Sequence, residues 1–389
     1  MPRYNPLVER LAPPPIPSVH AWARAYDGSR GALIDLSQAV PGYPPHADML
    51  KWLGEASAST ASTGYGPIEG ETALRAAYAT HVAGLYGAGF ATENIQITSG
   101  CNQAFIVAAL AVAGAGESVL VTNPFYFNHE TTLSMMGVKV ELTPCDPENG
   151  FLPDVAALKV ALHSGIRALA LITPNNPTGA VYPPELVAEI FALCREKGVW
   201  LLLDETYRDF LPGDGAPHGL FSLPGWEENL IGLYSFSKSF CIPGHRLGAI
   251  TAGAETIRQI AKIMDNVQIC APRAAQMALT KALPALDDWR MENRAEIARR
   301  TEALKTVLGN VEGWEIGAIG AYFAYIRHPF QGVSSEKVAE HLARQAGIVS
   351  IPGTYFGEGQ DDYLRFAFAN ADVATIERLE ERLKVFAGP

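Results

Sequence analysis

The order of apolar and polar positions divides the chain into three stretches. Residues 1–45 are rich in proline and predict an extended arm with one short helix at Val19–Tyr26. From about residue 69, short β-rich runs alternate with segments of helical spacing. The predicted strands are Asn94–Thr98, Ser118–Thr122, Val138–Leu142, Ala168–Thr173, Val199–Leu203, Ile231–Ser235 and Gly248–Thr251. Such alternation is typical of a mainly parallel sheet covered by helices on both faces.

The pattern changes at about residue 285 and predicts a second, smaller α+β unit. A long charged helix at Asp287–Leu308 leads into strands Tyr322–Arg327 and Tyr363–Phe368 and helices Glu336–Gln345 and Val373–Phe386. We place the domains at residues 1–45 (arm and part of the small domain), 46–285 (large domain) and 286–389 (small domain).

Charge and apolar content exclude several classes of protein. The 389 residues carry 30 Lys and Arg against 41 Asp and Glu, a net charge of −11, and no basic stripe is present. We therefore expect no nucleic-acid partner. The longest apolar stretch, Ala104–Ala113, is about half of the ~20 residues that cross a bilayer. The first residues lack the apolar core of a secretory signal, so we expect a cytoplasmic protein.

Cysteine and histidine spacing gives no sign of a metal site. The five cysteines stand far apart, which excludes CxxC pairs and argues against a disulfide framework. The nine histidines include no HExxH pair. We expect reduced thiols and no metal.

Polar and ionisable residues follow the predicted strands. In an open parallel sheet, ligands bind beyond the carboxyl ends of the strands. Those positions hold Ser99–Asn102, Asn123–Tyr126, Pro174–Gly179, Asp204–Tyr207 and Ser235–Lys238. We expect these residues to share one edge of the sheet.

Lys238 follows a predicted buried strand in a short polar loop. A lysine in such a loop is most often a surface ammonium. Here the flanking serines, and Arg246 behind a Pro-Gly turn, supply hydroxyl and cationic groups that would hold a phosphate. A lysine beside a phosphate site indicates Schiff-base chemistry, because its amine condenses with a carbonyl once its basicity is lowered.

Asp204 ends the apolar run Val199–Leu203, so its carboxylate would lie at the mouth of a hydrophobic sheet. A carboxylate there needs a cationic or proton-donating partner. Two interpretations are open: a helix N-cap, or the counter-charge of a cofactor's pyridinium nitrogen. Asn176 lies in Pro-Asn-Asn-Pro-Thr-Gly, which is also typical of an ordinary tight turn.

The order of these residues resembles the class I and II aminotransferases, fold type I pyridoxal-phosphate enzymes related to aspartate aminotransferase. The most specific motifs are NPTG at Asn176–Gly179, the DxxY of Asp204 and Tyr207, and SxSK at Ser235–Lys238 followed by an arginine. The resemblance covers nearly the whole chain. It implies an α/β fold whose large domain has a mainly parallel seven-stranded sheet between helices, plus a smaller α+β domain.

The resemblance implies roles around pyridoxal 5'-phosphate. Lys238 would form the aldimine, a Schiff base with the cofactor, and move the substrate's α-proton. Asp204, with His129 beside it, would keep the pyridine nitrogen protonated. Tyr207 and Asn176 would hydrogen-bond the cofactor's phenolic oxygen. The catalytic residues so implied are Lys238, Asp204, Tyr207 and Tyr65.

The resemblance also implies which residues hold the ligands. Backbone N–H groups at the start of a helix would face the phosphate, where the helix dipole favours an anion. The implied cofactor-binding residues are Gly100, Cys101, Asn102, Tyr126, Asn176, Asp204, Tyr207, Ser235, Ser237, Lys238, Arg246 and Tyr65. Arg365, which alone would be a snorkelling edge arginine, would bind the substrate α-carboxylate in a bidentate fork. The other implied substrate contacts are Asn176, Ala39 and Val40.

Tyr65 resembles the tyrosine that reaches the phosphate bound by the neighbouring subunit, which implies a homodimer with shared active sites. Two positions depart from the family's pattern. Ala39 stands where many relatives have glycine, and Arg273 stands where relatives more often have small polar residues. Arg273 could contact a phosphate or substrate across the dimer interface, or cap a helix. No arginine matches the one that dicarboxylate-specific relatives use for a distal carboxylate.

Three other functions share parts of this pattern. Tyr234–Lys238 forms a YxxxK, as in short-chain dehydrogenases, but the glycine-rich dinucleotide loop they need is absent. Ser235–Lys238 forms an SxxK, as in penicillin-binding serine hydrolases, where the motif opens a helix and precedes its partner motifs. A non-catalytic ligand-binding module could dispense with Lys238, Asp204 or Arg365, and this chain keeps all three.

The sequence therefore predicts a pyridoxal-phosphate-dependent aminotransferase that moves an amino group from an L-amino acid to a 2-oxo acid by a ping-pong mechanism. A β-lyase of the C–S lyase type on the same cofactor is the alternative, because fold and cofactor do not fix the reaction. Val40, Tyr43 and Tyr65 favour a hydrophobic substrate side chain, such as that of an aromatic amino acid or kynurenine. Aspartate, alanine and glutamate stay open.

Overall fold

The computed structural model describes residues 2–389. The helices are α1 (Pro6–Glu9), α2 (Ile16–Arg24), α3 (Ala47–Ser57), α4 (Thr72–Tyr86), α5 (Cys101–Val112), α6 (Phe127–Met135), α7 (Val155–Ala161), α8 (Pro184–Lys197), α9 (Phe236–Ser239), α10 (Ala254–Val267), α11 (Arg273–Ala285), α12 (Asp287–Gly309), α13 (Ser335–His341) and α14 (Val373–Lys384). The strands are β1 (Ile34–Asp35), β2 (Ile95–Thr98), β3 (Ser118–Asn123), β4 (Lys139–Pro144), β5 (Ile166–Ile172), β6 (Trp200–Asp204), β7 (Leu230–Ser235), β8 (Gly248–Ala252), β9 (Glu315–Gly320), β10 (Phe323–Arg327), β11 (Ile348–Val349), β12 (Ile351–Pro352) and β13 (Tyr363–Phe366).

Seven strands form one sheet in the order β2-β8-β7-β6-β5-β3-β4. The five strands from β7 to β4 pair in parallel, and β8 runs antiparallel to both β7 and β2. The predicted α/β fold with a mainly parallel seven-stranded sheet is confirmed. Each of its predicted strands overlaps an observed one, with ends that differ by two residues at most.

Apart from the edge strand β4, the strands of this sheet are buried on both faces, as a parallel sheet between helices requires. On β5, Leu169 and Leu171 belong to one apolar cluster, whereas Ala168 and Ala170 belong to the cluster on the opposite face. Because successive strand residues point to opposite faces, a continuous apolar run fills both layers at once. On the central strands β5, β6 and β7, charged side chains therefore occur only at or near the strand ends, as at Arg167 and Asp204.

The C-terminal part of the chain carries an antiparallel sheet in the order β12-β13-β10-β9. Strand β9 was not predicted, because Gly317 and Gly320 interrupt the β-rich pattern. Strand β1 pairs in parallel with β11, Ile34 opposite Ile348, so the N-terminal arm joins the C-terminal part. The domain boundaries near residues 45 and 285 stay predictions.

Helix α2 begins three residues earlier than the predicted Val19–Tyr26 and ends two residues earlier. The helix includes Pro17 in its first turn, where a proline is tolerated because that N–H has no intrahelical partner. Within residues 2–389, no helix combines the length and the apolar character needed to cross a membrane.

Candidate active site

The carboxyl ends of the central parallel strands enclose a cavity of about 190 Å³. Its walls come from the segments that follow β2, β3, β5, β6 and β7, the edge at which ligands bind in open α/β sheets. The lining residues are Cys101, Asn102, Tyr126, Ile172, Asn176, Asp204, Thr206, Tyr207, Ser235, Ser237, Lys238, Pro243 and Arg246. Ten of these thirteen are among the residues that the sequence predicted for the cofactor.

Lys238 lies in the short helix α9, directly after β7. Its Nζ donates a hydrogen bond to the carbonyl oxygen of Ala39 and lies 6.0 Å from the ring centre of Tyr207. Burial, and then the positive charges of Arg365 and Arg246, lower the pKa of Lys238 from 10.5 to about 8. A substantial fraction of this amine is therefore neutral, and nucleophilic, near neutral pH.

Asp204 is the last residue of β6, and its carboxylate is buried. Oδ1 accepts a hydrogen bond from the backbone N–H of Thr206 at 2.9 Å, and His129 Nε2 lies 3.5 Å from Oδ2. Burial alone raises the pKa of Asp204, but the hydrogen bonds and charge of His129 and the hydrogen bonds of Thr206 outweigh it, so the pKa falls below its usual value. Asp204 thus offers a negative charge at the cavity wall, and it does not cap a helix.

His129 is held against Asp204 by aromatic packing. Its ring stacks on Phe105, with centroids 3.7 Å apart and planes inclined by 6°, and Tyr126 meets it edge-on at 5.4 Å. The Cys101 thiol donates to the same carboxylate oxygen, Asp204 Oδ2, at 3.5 Å. Burial, followed by the charge of Asp204, raises the pKa of Cys101, so the thiol keeps its proton.

Two phenols, Tyr126 and Tyr207, and the side-chain amide of Asn176 also line the cavity. Burial raises the pKa of Tyr126 to about 12 and raises that of Tyr207 well above its usual value. Both hydroxyl groups therefore stay protonated. Asn176 is buried, and its Oδ1 accepts a hydrogen bond from Arg365 Nη1 at 2.9 Å.

An anion cradle forms one end of the cavity. Helix α5 begins after Gly100, whose φ of 82° is in the left-handed region that favours glycine. A Cβ at Gly100 would overlap the guanidinium of Arg246, so glycine lets this cation lie against the backbone. Ser235 and Ser237 complete the cradle, and the buried Ser237 Oγ has no hydrogen-bond partner. Helix N–H groups, a guanidinium and hydroxyls are the donors that bind phosphate.

Arg365 projects from β13 of the C-terminal sheet and is 3% exposed. Its Nη2 donates to the carbonyl oxygen of Ser37 at 2.5 Å, and its guanidinium lies 4.9 and 5.1 Å from the rings of Phe323 and Phe356. Its Nε has no partner. Burial lowers the pKa of Arg365 to about 10, which still leaves it positively charged at neutral pH.

Some residues predicted for the site lie outside this cavity. Tyr65 is 82% exposed and does not line it. Arg273 does not line the cavity either and pairs with Glu71. Tyr43 packs edge-on against Trp289, 6.3 Å between ring centres, and Val40 is half-buried without lining the cavity.

Sequence reasoning missed three lining residues, Thr206, Ile172 and Pro243, and the two phenylalanines that flank Arg365. Thr206 could have been found, because an aspartate that accepts a hydrogen bond from the N–H two residues on is a common turn. Phe323 and Phe356 carry no such signal. They come close to Arg365 only when β10 and the segment before β13 pack together.

A mainly parallel α/β sheet whose rim carries a partly buried lysine, an ionised aspartate and an anion cradle is typical of enzymes that use a phosphorylated cofactor. The chain belongs to the family described as aminotransferase class I and II, whose sequence model matches residues 32–383. This family depends on pyridoxal phosphate. The chain is therefore an enzyme, an aminotransferase, as the sequence predicted.

Individual relatives agree with this assignment. An aspartate aminotransferase of Pyrococcus horikoshii is 29% identical over 88% of this chain and 89% of its own. An aromatic aminotransferase of Arabidopsis thaliana is 28% identical, with 90% of this chain and 89% of its own covered. The solved structure of Thermus thermophilus aspartate aminotransferase, a double mutant, has a TM-score of 0.90 at 25% identity and covers 99% of both chains. The predicted relationship to aspartate aminotransferase is confirmed.

Proposed function

We propose that this enzyme binds pyridoxal 5'-phosphate in the cavity that Lys238 lines. We further propose that it exchanges amino groups between neutral L-amino acids and 2-oxo acids. One observation carries the proposal. A single cavity joins a lysine amine of lowered basicity, an ionised aspartate and an anion cradle. These are the three groups that an aldehyde, a pyridine nitrogen and a phosphate require.

The residues present fit this cofactor. The phosphate would lie at the start of α5, where it would give the buried Ser237 hydroxyl its missing partner and meet Arg246. The ring nitrogen would face Asp204, and the ring would lie near Tyr126. The phenolic oxygen would meet Tyr207 and Asn176, which remain hydrogen-bond donors. No group of three or more His, Cys, Asp or Glu suited to a metal ion occurs in residues 2–389.

When bound, pyridoxal phosphate supplies an aldehyde carbon and a ring that accepts electrons from the substrate's α-carbon. The neutral amine of Lys238 would hold the cofactor through that aldehyde carbon. Where the substrate amine takes its place, Lys238 Nζ would be free to accept and hold the substrate's α-proton. Asp204 would keep a proton on the ring nitrogen, because His129 and Thr206 stabilise its carboxylate in the charged form.

Arg365 would hold the substrate's α-carboxylate. Its guanidinium is oriented by Asn176 and the Ser37 carbonyl and is flanked by Phe323 and Phe356. This apolar setting strengthens the pairing of a cation with a carboxylate by excluding water. Arg365 would thus anchor the substrate at its α-carboxylate.

The charges near the cavity favour a substrate with a neutral side chain. Lys238 and Arg246 line it, Arg365 is close enough to act on Lys238, and each has a role above. No further cation among the lining residues is left for a second carboxylate. A neutral donor, aromatic or aliphatic, avoids burying an unpaired carboxylate.

We propose that the working unit is a homodimer. Tyr65 is the most exposed large hydrophobic residue of the described chain, and Val267 and Ile269, 51% and 36% exposed, add apolar surface. The Tyr65 loop adjoins that segment, because the Gly66 N–H donates to Cys270 Sγ at 3.4 Å. In a dimer, Tyr65 would reach the phosphate in the partner's cavity. Sedimentation would then show twice the mass of one chain.

The first test is the visible spectrum of the protein loaded with pyridoxal phosphate, recorded after single amino acids are added without any oxo acid. We expect neutral amino acids to convert the Lys238-bound band to that of the pyridoxamine form, with release of the matching 2-oxo acid. A persistent band with accumulating pyruvate and ammonia would instead establish a β-lyase. Failure to take up pyridoxal phosphate would refute the cofactor assignment.

The role of Lys238 is tested by replacing it. Lys238→Ala should lower turnover by at least about 10³-fold, because a positioned proton-transfer group alone contributes about 10²–10⁴-fold. Lys384→Ala is the matched control, since Lys384 is exposed and pairs only with Glu380. Equal turnover in the two variants would contradict the assignment.

The cytoplasm is our proposed compartment. All five cysteines are unpaired in the structure, in keeping with a reducing environment. Cell fractionation with a marker enzyme would test this, and recovery from an oxidising compartment would contradict it.

A further inference from the structure

We infer that Arg273 and Glu71 form a clamp that fixes the loop Thr63–Gly66, and so positions Tyr65 for the partner subunit's cofactor site. This inference rests on the proposed dimer. It assigns Arg273 the role of holding this loop. The sequence had left two other roles open for Arg273, a contact with a phosphate or substrate across the dimer interface and the capping of a helix.

The clamp is visible in the contacts of Arg273. Its Nε donates to Glu71 Oε1 at 2.5 Å, and both side chains are only 20% exposed. Its Nη1 donates to the carbonyl oxygen of Gly64 at 3.1 Å, the residue directly before Tyr65. One guanidinium therefore joins the first residue of α11 to the residue before α4 and to the loop itself.

The loop is closely packed against this ion pair. A Cβ at Gly66 would lie 3.0 Å from both Arg273 Cδ and Glu71 Oε1, so the backbone runs directly over the clamp. The Gly66 N–H also meets Cys270. With Gly64 and Gly66 both held, the conformational freedom of Tyr65 between them is small.

Glu71 is committed to Arg273. It is the N-cap residue of α4, yet its side chain makes no capping hydrogen bond. Its backbone N–H donates to Gln276 Oε1 at 2.8 Å, and Gln276 Nε2 donates to the Ala271 carbonyl at 2.9 Å. The ends of α4 and α11 are therefore bound together beneath the loop.

These contacts argue against Arg273 as a substrate-binding cation. Its charge is balanced by Glu71 at close range, and two of its donor groups are occupied. A lysine could not replace it, because only the planar fork of arginine reaches a carboxylate and a carbonyl at once. The pair thus explains an arginine at a position where relatives more often have small polar residues.

The test is the Kd of pyridoxal phosphate for the apoprotein, followed by absorbance, together with sedimentation of each variant. Tyr65→Phe removes the proposed donor to the phosphate, and we expect its Kd to rise at least about tenfold, the loss typical of a hydrogen bond to a charged group. Arg273→Ala should raise Kd by a similar factor. Combining the two should add little, since both act through the same contact.

Milder variants separate positioning from assembly. Glu71→Gln keeps an acceptor but removes the charge, and Arg273→Lys keeps the charge but loses the fork. Both should raise Kd by less than Arg273→Ala does while the protein remains dimeric. Arg344→Ala is the matched control, because Arg344 pairs with Glu340 at 2.9 Å on a distant helix and is half-exposed; its Kd should not change.

Hybrid dimers locate the effect. In one hybrid, Arg273→Ala lies on the subunit that also carries Lys238→Ala, and its partner is unchanged. In the other, Arg273→Ala lies on the subunit that keeps Lys238. We expect cofactor binding at the remaining Lys238 to weaken only in the first hybrid. There the site of the unchanged subunit receives Tyr65 from the subunit that carries Arg273→Ala.

Several results would overturn the inference. One is an unchanged Kd in Arg273→Ala and Glu71→Gln while Tyr65→Phe raises it. Another is a Kd that rises only when the dimer dissociates. A third is a KM raised for aspartate and glutamate alone, which would make Arg273 a substrate ligand. If Tyr65→Phe itself leaves Kd unchanged, it is the proposed shared site that fails.

Discussion

Lys238 lies among groups that oppose its positive charge. It is partly buried just after β7, and two arginines, Arg365 and Arg246, act on it from the C-terminal sheet and from the anion cradle. Asp204 and Cys101 act in the opposite direction but more weakly. The pKa of this amine is thus set by its burial and by charged residues from several segments of the chain.

We predict that the apoprotein reacts with pyridoxal at a rate that follows the neutral amine of Lys238. With a pKa of about 8, the rate should rise about tenfold from pH 6 to pH 7 and level off above about pH 9. Pyridoxal without the phosphate avoids the titration of the phosphate group, stopped-flow absorbance gives the rate, and the reaction of pyridoxal with a free amine such as N-acetyl-lysine corrects for the titration of its ring. A midpoint near the usual lysine pKa of 10.5 would contradict this environment.

Among the elements, the loop between β5 and α8 connects the two sheets. Gly179 ends the NPTG motif with a φ of 78°, and a Cβ there would overlap the carbonyl oxygen of Phe323 and lie 2.7 Å from Gly320 N. Phe323 begins β10, beside Arg365. Glycine thus lets the loop that carries Asn176 touch the backbone of the C-terminal sheet.

We predict that Gly179→Ala lowers kcat/KM by at least about tenfold and destabilises the fold by about 3 kcal/mol, since backbone strain and overpacking add. Gly198→Ala is the matched control. Gly198 also has a positive φ, 67°, but its Cβ would meet nothing within 4 Å, so only the strain of about 1 kcal/mol applies. If Gly179→Ala and Gly198→Ala change the free energy of unfolding and kcat/KM equally, the contact of Gly179 with β10 does not matter.

A buried ionic network ties α4 to the segment after β6. Glu205 accepts a hydrogen bond from the Tyr86 hydroxyl at 2.7 Å, and His218 and Arg208 lie 3.3 and 3.8 Å from its oxygens. Arg208 also donates to the Tyr78 hydroxyl at 2.9 Å. The network lies next to Asp204 in sequence and supports the wall of the cavity from behind.

We predict that Glu205→Gln destabilises the protein by about 3–5 kcal/mol at pH 7, because it leaves Arg208 buried without its carboxylate. Burial alone raises the pKa of Glu205, but His218 and Arg208 outweigh it and lower the pKa. The stabilisation is therefore present above the unfolded pKa of about 4.3 and lost as the pH falls through the folded value. In urea unfolding, the difference in the free energy of unfolding between Glu205→Gln and the wild type should decrease below about pH 4.

The control for this prediction is Glu302→Gln. Glu302 is 72% exposed and pairs with Lys305 on the surface of α12, so its effect should stay within about 0.5 kcal/mol at any pH. A Glu205 variant that behaves like this control would mean that the network adds no stability.

In the whole molecule, Arg365 connects three separate parts of the chain. It lies on β13, and its guanidinium donates to Asn176 beside the central sheet and to Ser37 of the N-terminal arm. A carboxylate bound there would draw these parts together, as in enzymes that close over their substrates.

We predict that 3-phenylpropionate, an unreactive analogue of an aromatic donor, reduces the radius of gyration of the loaded enzyme in X-ray scattering. Arg365→Lys should abolish this change and weaken binding of the analogue by at least about tenfold, because a lysine cannot form the bidentate fork. If the radius of gyration still decreases in Arg365→Lys, a residue other than Arg365 binds the carboxylate.

The strand pattern and the chemistry at the strand ends were predictable because both are local. A short apolar run such as Val199–Leu203, between turn residues, favours a buried strand, and a polar residue directly after it, such as Asp204, is then expected at the edge of the sheet. The NPTG and SxSK motifs then placed Asn176 and Lys238 together, and the cavity contains both. Strand β9 escaped prediction because its glycines remove the side chains that define a pattern.

The sequence by itself determined the fold class, the aminotransferase family and the residue types at the rim, because these follow from periodicity and from short motifs. Only the tertiary structure decided the order of the seven strands, the partners of Arg365 and the pairing of Arg273 with Glu71. These depend on contacts between segments up to several hundred residues apart. Their energies come from burial and charge in the folded chain, which no local pattern records.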